Sequence, residues 1–173
     1  MTSVPFSSPD GAKQAFPPVV DHRTRVVILG SLPGEASLAQ GRYYANPRNQ
    51  FWRLLEGVTG RDLVRAAYEE RLARLLAAGI GLWDVIASAH RAGSLDANIQ
   101  GHQARDLRAF AASLPALRAL AFNGGKAAQI GRAQFAAEAA GPQLLTLPSS
   151  SPAYAAPFER KLAAWNALRT WLA

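Results

Sequence analysis

The sequence predicts an α/β fold: a three-layer α/β/α sandwich around a central, mostly parallel four-stranded sheet. Two features carry that expectation. Short β-branched or leucine-rich runs alternate along the chain with amphipathic, Ala-rich segments, and strands that alternate with helices form parallel sheets covered on both faces. The runs also end alike, each passing straight into small, polar or Pro/Gly residues: "GSLPG", the loop after "LWDVI", "FNGGK" and "LPSSSPAY". Open α/β sheets bind ligands beyond the carboxyl ends of their strands, so these four exits are expected to converge on one site.

Taken in order, residues 1–22 are rich in Pro and Ser and read as an extended arm, followed by one folded unit over 23–173. "RVVILG" (25–30) has the composition of a buried strand closed by glycine. The stretch from Gly30 to Trp52 is then dense in Gly, Pro, Asn, Ser and Tyr. Loops of that length without secondary structure are functional or disordered. Tyr43, Tyr44, Phe51 and Trp52 argue for order, since disordered segments are poor in aromatics. "NQFWRLLEGVTG" reads as a short helix ending at Gly57 or Gly60, and "RDLVRAAYEERLARLLAAG" as an amphipathic helix stopped by Gly79. "IGLWDVI" (80–86) is the second strand, followed by a polar loop, "ASAHRAGSLDANIQGHQA", and the helix "RDLRAFAASL". "LRALAFNG" (117–124) is the third strand, "KAAQIGRAQFAAEAA" a helix, "QLLTLPS" (143–149) the fourth strand and "FERKLAAWNALRTWLA" the closing helix.

Composition narrows the function. The 173 residues contain no cysteine, which removes disulfides, thiolate catalysis and cysteine-based zinc sites and fits a reducing cytosol. The N-terminus lacks the basic patch and apolar core of a signal peptide, and no apolar run is long enough to span a membrane. A cytoplasmic monomer is expected. The net charge of +7 and pI near 10.5 are the electrostatic footprint of a nucleic-acid binder. The alternative is a plain arginine bias in an Ala-rich chain.

The motifs are more specific. Pro-Ser-x-x-x-Ala-Tyr, at Pro148 to Tyr154, resembles the minor-groove loop of the uracil-DNA glycosylase superfamily, which follows a final strand in this way. Glycine, two residues, proline and glycine after the first strand look like the superfamily's first motif, with Leu32 where Asp or Asn usually stands. Leu147 likewise replaces the histidine of the best-known branch. The ordered set GSLPG, YYANPRNQFW, LWDV with GSLD, FNGGKA and LPSSSPA is similar to the hypoxanthine-DNA glycosylase branch, often called family 6. The resemblance runs from about Arg25 to Ala155.

That resemblance implies a metal-independent, monofunctional DNA glycosylase without a cofactor, acting on damaged DNA that carries a deaminated base. Deoxyinosine is the favoured lesion; uracil or xanthine in mismatches is the alternative within the superfamily. A non-catalytic α/β module that binds nucleic acid is the alternative outside it. The target base must be extruded from the duplex into a pocket, so the long loop would form floor and wall. The family reading makes Asn49 the catalytic amide that replaces the missing motif-one residue, with Asn46 as second choice. Asn123 would pair with the base, beside Ser31 and the rings of Tyr44 and Phe51. Gly34, Arg48, Lys126, Ser149, Ser150, Ser151, Pro152 and Tyr154 would meet the DNA.

Plainer readings stand beside these. Asn49 and Asn123 suit helix caps, and Tyr43, Phe51, Trp52 and Phe122 suit the core. Asp84 reads as a structural hydrogen-bonder at a strand end and Asp96 as a loop anchor. His22, His90 and His102 lack metal spacing, and "GSLPG" lacks the Gly-Lys-Ser/Thr ending of a phosphate-binding P-loop. Lys126, one of three lysines, suits phosphate better than a Schiff base.

Overall fold

A computed structural model describes residues 10–137 and 140–173. The main sheet contains β2 (Val26–Gly30), β3 (Ile80–Asp84), β6 (Ala119–Asn123) and β7 (Gln143–Leu147), all parallel, in the order β3-β2-β6-β7. The two central strands are buried along their whole length. This is why they read as unbroken apolar runs: a parallel strand covered on both faces has no solvent side to mark with polar residues.

The strand alternation splits the core in two. Val26, Ile28, Leu82, Ala119 and Ala121 face a cluster with α2 (Phe51–Thr59), α3 (Tyr68–Ala77) and α6 (Phe158–Trp165). Val27, Leu29, Leu120 and Phe122 face the opposite cluster, which includes Leu107 of α4 (Leu107–Ala112) and Ala127 and Ala128 of α5 (Gly125–Ala133). Helix α2 contributes most densely, burying Phe51, Trp52, Leu54, Leu55 and Val58. Each such side chain is worth roughly 1.5–3 kcal/mol, so the site segment that precedes α2 is fastened to the core at its far end.

Several local expectations change. Of the two stops expected for α2, the helix takes the second: it runs past Gly57 and ends at Gly60, which takes the left-handed conformation (φ 68°). Gly57 instead serves a packing contact, since a Cβ there would lie 2.7 Å from Leu162 of α6. Helix α3 begins at Tyr68, not at Arg61. The Glu56 carboxylate accepts the Leu63 and Val64 N–H groups, each at 3.0 Å, while Arg71 donates to the Val64 and Ala66 carbonyls. Those side chains satisfy backbone groups that a longer helix would otherwise use. The GSLPG loop carries a short helix of its own, α1 (Glu35–Gln40). Beyond Ala133 the predicted helix passes into turns, and residues 138–139 lie outside the described residues. The closing helix is broken by a 3₁₀ turn at Asn166–Leu168 before α7 (Arg169–Leu172).

The largest correction concerns the polar loop. Much of it is strand: β4 (Ile86–His90) and β5 (Gln100–Ala104) pair antiparallel, with β1 (Lys13–Gln14) on the other side of β4. Of the arm, residues 1–9 lie outside the described residues. Residues 10–22 run along the flank, where Val19 and Leu82 exchange two backbone hydrogen bonds at 2.9 Å and Ala15 N–H donates to the Ala87 carbonyl.

Candidate active site

The ends of β2, β3 and β6 open into a cavity of about 610 Å³, within the usual range for a small-molecule site. Its walls are Gly30–Ser37, the loop through Tyr43–Asn49, residues 94–96 and the loop Ser149–Tyr154, with Asp84 and Asn123 at their strand ends.

Asn123 ties three of these parts together. Its Nδ2 donates to the Ser150 hydroxyl (2.9 Å) and to the Tyr44 hydroxyl (3.2 Å), and its Oδ1 accepts the Ser150 N–H (2.9 Å). The next residue makes this geometry possible. Gly124 lies at φ 99°, a conformation that side chains resist, and its N–H bonds to the Leu147 carbonyl as α5 begins. Gln50 N–H then donates to the Ser150 carbonyl at 3.0 Å, joining the two long loops directly.

Tyr44 is the only non-glycine residue with positive φ among those described, at 52°. Sparsely populated backbone of this kind persists only where the surroundings hold it. Here its ring stacks on Phe51 (centroids 3.6 Å, planes 9° apart) and its carbonyl accepts the Trp52 indole N–H. Burial, helped by the nearby Asp84 charge, pushes the Tyr44 hydroxyl above its ordinary pKa, so it stays protonated. Asn46 and Asn49 each fold back on the loop: Asn46 Oδ1 accepts Arg48 N–H (2.9 Å) and Asn49 Oδ1 accepts Phe51 N–H (3.0 Å). Both side chains line the cavity.

The family model described as "Uracil DNA glycosylase superfamily" matches residues 17–171. The chain belongs to that superfamily. A "Hypoxanthine DNA glycosylase" of Methanosarcina acetivorans is 38% identical over 156 residues, 90% of this chain and 97% of the relative. One of Methanosarcina barkeri is 41% identical over 117 residues, 68% of this chain and 74% of the relative. A solution NMR structure from Methanosarcina acetivorans, named there as a candidate uracil DNA glycosylase, superposes with a TM-score of 0.82 at 37% identity. That match covers 93% of this chain and 98% of the other.

Most of the residues singled out in the sequence meet in this cavity. Ser31, Gly34, Tyr44, Asn46, Arg48 and Asn49 line it from one side, Asn123 and residues 149–154 from the other. Two lie apart. Phe51 is fully buried beneath Tyr44, so it supports a ring that faces the cavity and does not face it itself. Lys126 sits in the first turn of α5, outside the lining. The three histidines are exposed, and the described residues hold no cluster of His, Asp or Glu placed to bind a metal. No helix among the described residues is long and apolar enough to cross a membrane.

Sequence reasoning undervalued three charged residues. Arg91 is almost wholly buried behind the GSLPG loop, where it donates to the Leu32, Pro33 and Gly93 carbonyls, 3.9 Å from Asp96. Asp96 in turn accepts the Ser31 hydroxyl at 2.6 Å. Lys161, buried on α6, donates to the Ser151 carbonyl and lies 5.3 Å over the Tyr154 ring, bracing the serine loop from beneath. Asp84 differs most from expectation. It is buried at the cavity floor, yet its Oδ2 has no hydrogen-bond partner among the described residues. The reading of Asp84 as a structural hydrogen-bonder is therefore corrected.

Proposed function

We propose that this glycosylase hydrolyses the N-glycosidic bond of a deaminated base in DNA, with hypoxanthine as the preferred lesion. The observation that carries the reading is the cavity itself: a pocket at the strand ends, lined by the amides of Asn46, Asn49 and Asn123, by serine hydroxyls and by tyrosine rings, in a chain of this superfamily. The substrate choice rests on the two relatives named for hypoxanthine. Hydrolysis needs water placed at the sugar C1′, tolerance of positive charge on the sugar and hydrogen bonds to the departing base. Preorganised dipoles aimed at developing charge supply the largest share of such catalysis. Asn49 holds the water or the departing base, Asn46 being the alternative. Tyr44, Ser31 and Asn123 contact the base. Gly34, Arg48 and residues Ser149 to Tyr154 meet the DNA backbone, with Lys126 at the edge of that surface. Residues 23–173 act as one catalytic unit after the arm, as a cytoplasmic monomer with no metal or cofactor.

The test is incubation in EDTA with labelled duplexes carrying inosine, uracil or xanthine, followed by hot alkali. The expected product is an abasic site that breaks only after alkali, formed fastest from inosine. Nicking without alkali, or dependence on a divalent ion, would count against the mechanism. Faster loss of uracil or xanthine would move the substrate.

Affinity for abasic-site DNA should also fall steeply as salt rises, because neutralising each phosphate releases counterions. The basis is the charge of +7 and the exposed Arg48 at the cavity wall. Titration at low and moderate salt checks it, and equal affinities would refute backbone binding.

A further inference from the structure

We propose that Asp84 is a catalytic residue that donates a proton to the purine as it leaves, an inference that rests on the glycosylase reading above.

Asp84 occupies the last position of β3, beside Gly30 at the end of β2, and only 4% of its surface is exposed. Buried carboxyl groups are nearly always hydrogen-bonded, because an unpaired one carries its full desolvation penalty. Here the Oδ2 is enclosed without a partner among the described residues. The backbone beside it is kept clear. A Cβ on Gly30 would lie 2.6 Å from Asp84 Oδ1 and 3.1 Å from the Tyr44 hydroxyl. The carboxyl and the phenol therefore converge over a bare glycine at the cavity floor. A carboxyl so placed lines the cavity with one oxygen still unpartnered, and a base that enters the cavity comes within its reach.

The charges around it set its protonation. Arg105, after β5, and Arg91, after β4, favour the carboxylate; Asp96 opposes it, and the neighbouring Tyr43 and Tyr44 hydroxyls stay neutral. Burial outweighs the arginines and lifts the carboxyl to about 7. A proton donor with a pKa near the working pH is best suited to general acid catalysis. A purine is a poor leaving group as an anion, so a proton on its ring eases departure. In the step, the C1′–N9 bond breaks and its electron pair passes to the base. The Asp84 proton moves to a purine ring nitrogen. Water oxygen bonds to C1′, and the proton that this water sheds restores the carboxyl. Nothing beyond water is consumed.

The experiment is single-turnover excision of hypoxanthine at saturating enzyme from about pH 5.5 to about pH 8.5, for the wild type and Asp84→Asn. Melting temperature and affinity for abasic-site DNA are recorded in parallel. The wild-type rate should be highest at the acid end and fall as pH rises through about 7, as the acid form is lost. Asp84→Asn should be about a hundredfold slower and flat with pH, while it binds abasic DNA normally. A flat wild-type profile would overturn the proposal without any variant, so it stays testable even if Asp84→Asn folds poorly. So would an Asp84→Asn protein that keeps the wild-type rate and profile. Absence of excision by the wild type at every pH would overturn the glycosylase reading itself, and this proposal with it.

Discussion

Asn49→Ala is expected to slow single-turnover excision by about a hundred- to a thousandfold, the usual cost of losing one well-aimed donor of about 2.7–4 kcal/mol. The structure gives Asn49 two ends with different tasks. Its Oδ1 is held by the Phe51 N–H at the entry to α2, which leaves its Nδ2 to serve the cavity that the residue lines. The first end fixes the direction of the second. Losing the bond to Phe51 should cost about 1 kcal/mol of stability, as for a helix cap. The two effects are separable: melting temperature reports the cap, and excision at saturating enzyme reports the amide. Asn46→Ala is the internal control, because Asn46 makes the equivalent bond to Arg48 N–H three residues earlier. Near-normal excision by the Asn49 variant would remove that residue from the mechanism. A collapse confined to Asn46→Ala would transfer the role upstream.

Asn123→Ala is expected to damage both folding and catalysis. The substitution strands the buried Ser150 N–H without an acceptor, a loss of about 1–3 kcal/mol. It also withdraws the donors held by Ser150 and Tyr44. The serine loop would then be held from outside by the Gln50 N–H, Lys161 and the Trp165 indole N–H on the Pro148 carbonyl. Excision should fall by at least about a hundredfold, and affinity for abasic DNA should weaken with it, since the loop proposed to hold the phosphates is no longer fixed. Asn49→Ala, by contrast, should leave abasic affinity nearly unchanged. If Asn123→Ala melted with the wild type and lost only turnover, the latch would be wrong and direct pairing with the base would be its whole task.

The frame was legible because the four main strands advertise themselves. Val26–Gly30 and Ala119–Asn123 are buried on both faces, so sequence and burial coincide, and each ends at a residue that cannot prolong it. The segments Ile86–His90 and Gln100–Ala104 give no such signal. The second is exposed throughout, and their pairing shifts register twice; backbone bonding makes the ribbon with little apolar alternation. Helix α1 was hidden for a related reason, since six residues between two glycines show no helical period. The cavity's lining was largely foreseen through the loop motifs. Its electrostatics were not. Nothing in "LWDV" says that Asp84 is enclosed without a partner, nor does "FERKLAAW" show that its lysine is buried under the serine loop. Those properties come from which elements meet across the sheet, and local sequence does not encode that directly.

The pairing of Val19 with Leu82 has a consequence for the molecule in solution. β3 ends one side of the main sheet, and an end strand offers unpaired amides and carbonyls to any other extended chain. Val19 occupies the middle of that edge, at Leu82. On the opposite border Arg132 donates to the Leu144 carbonyl and the Thr146 hydroxyl of β7, which blunts the second rim with a cation. Each border of the sheet thus carries an obstacle to strand addition supplied by the protein's own residues. Edge-to-edge pairing between copies of the protein would first have to displace these residues.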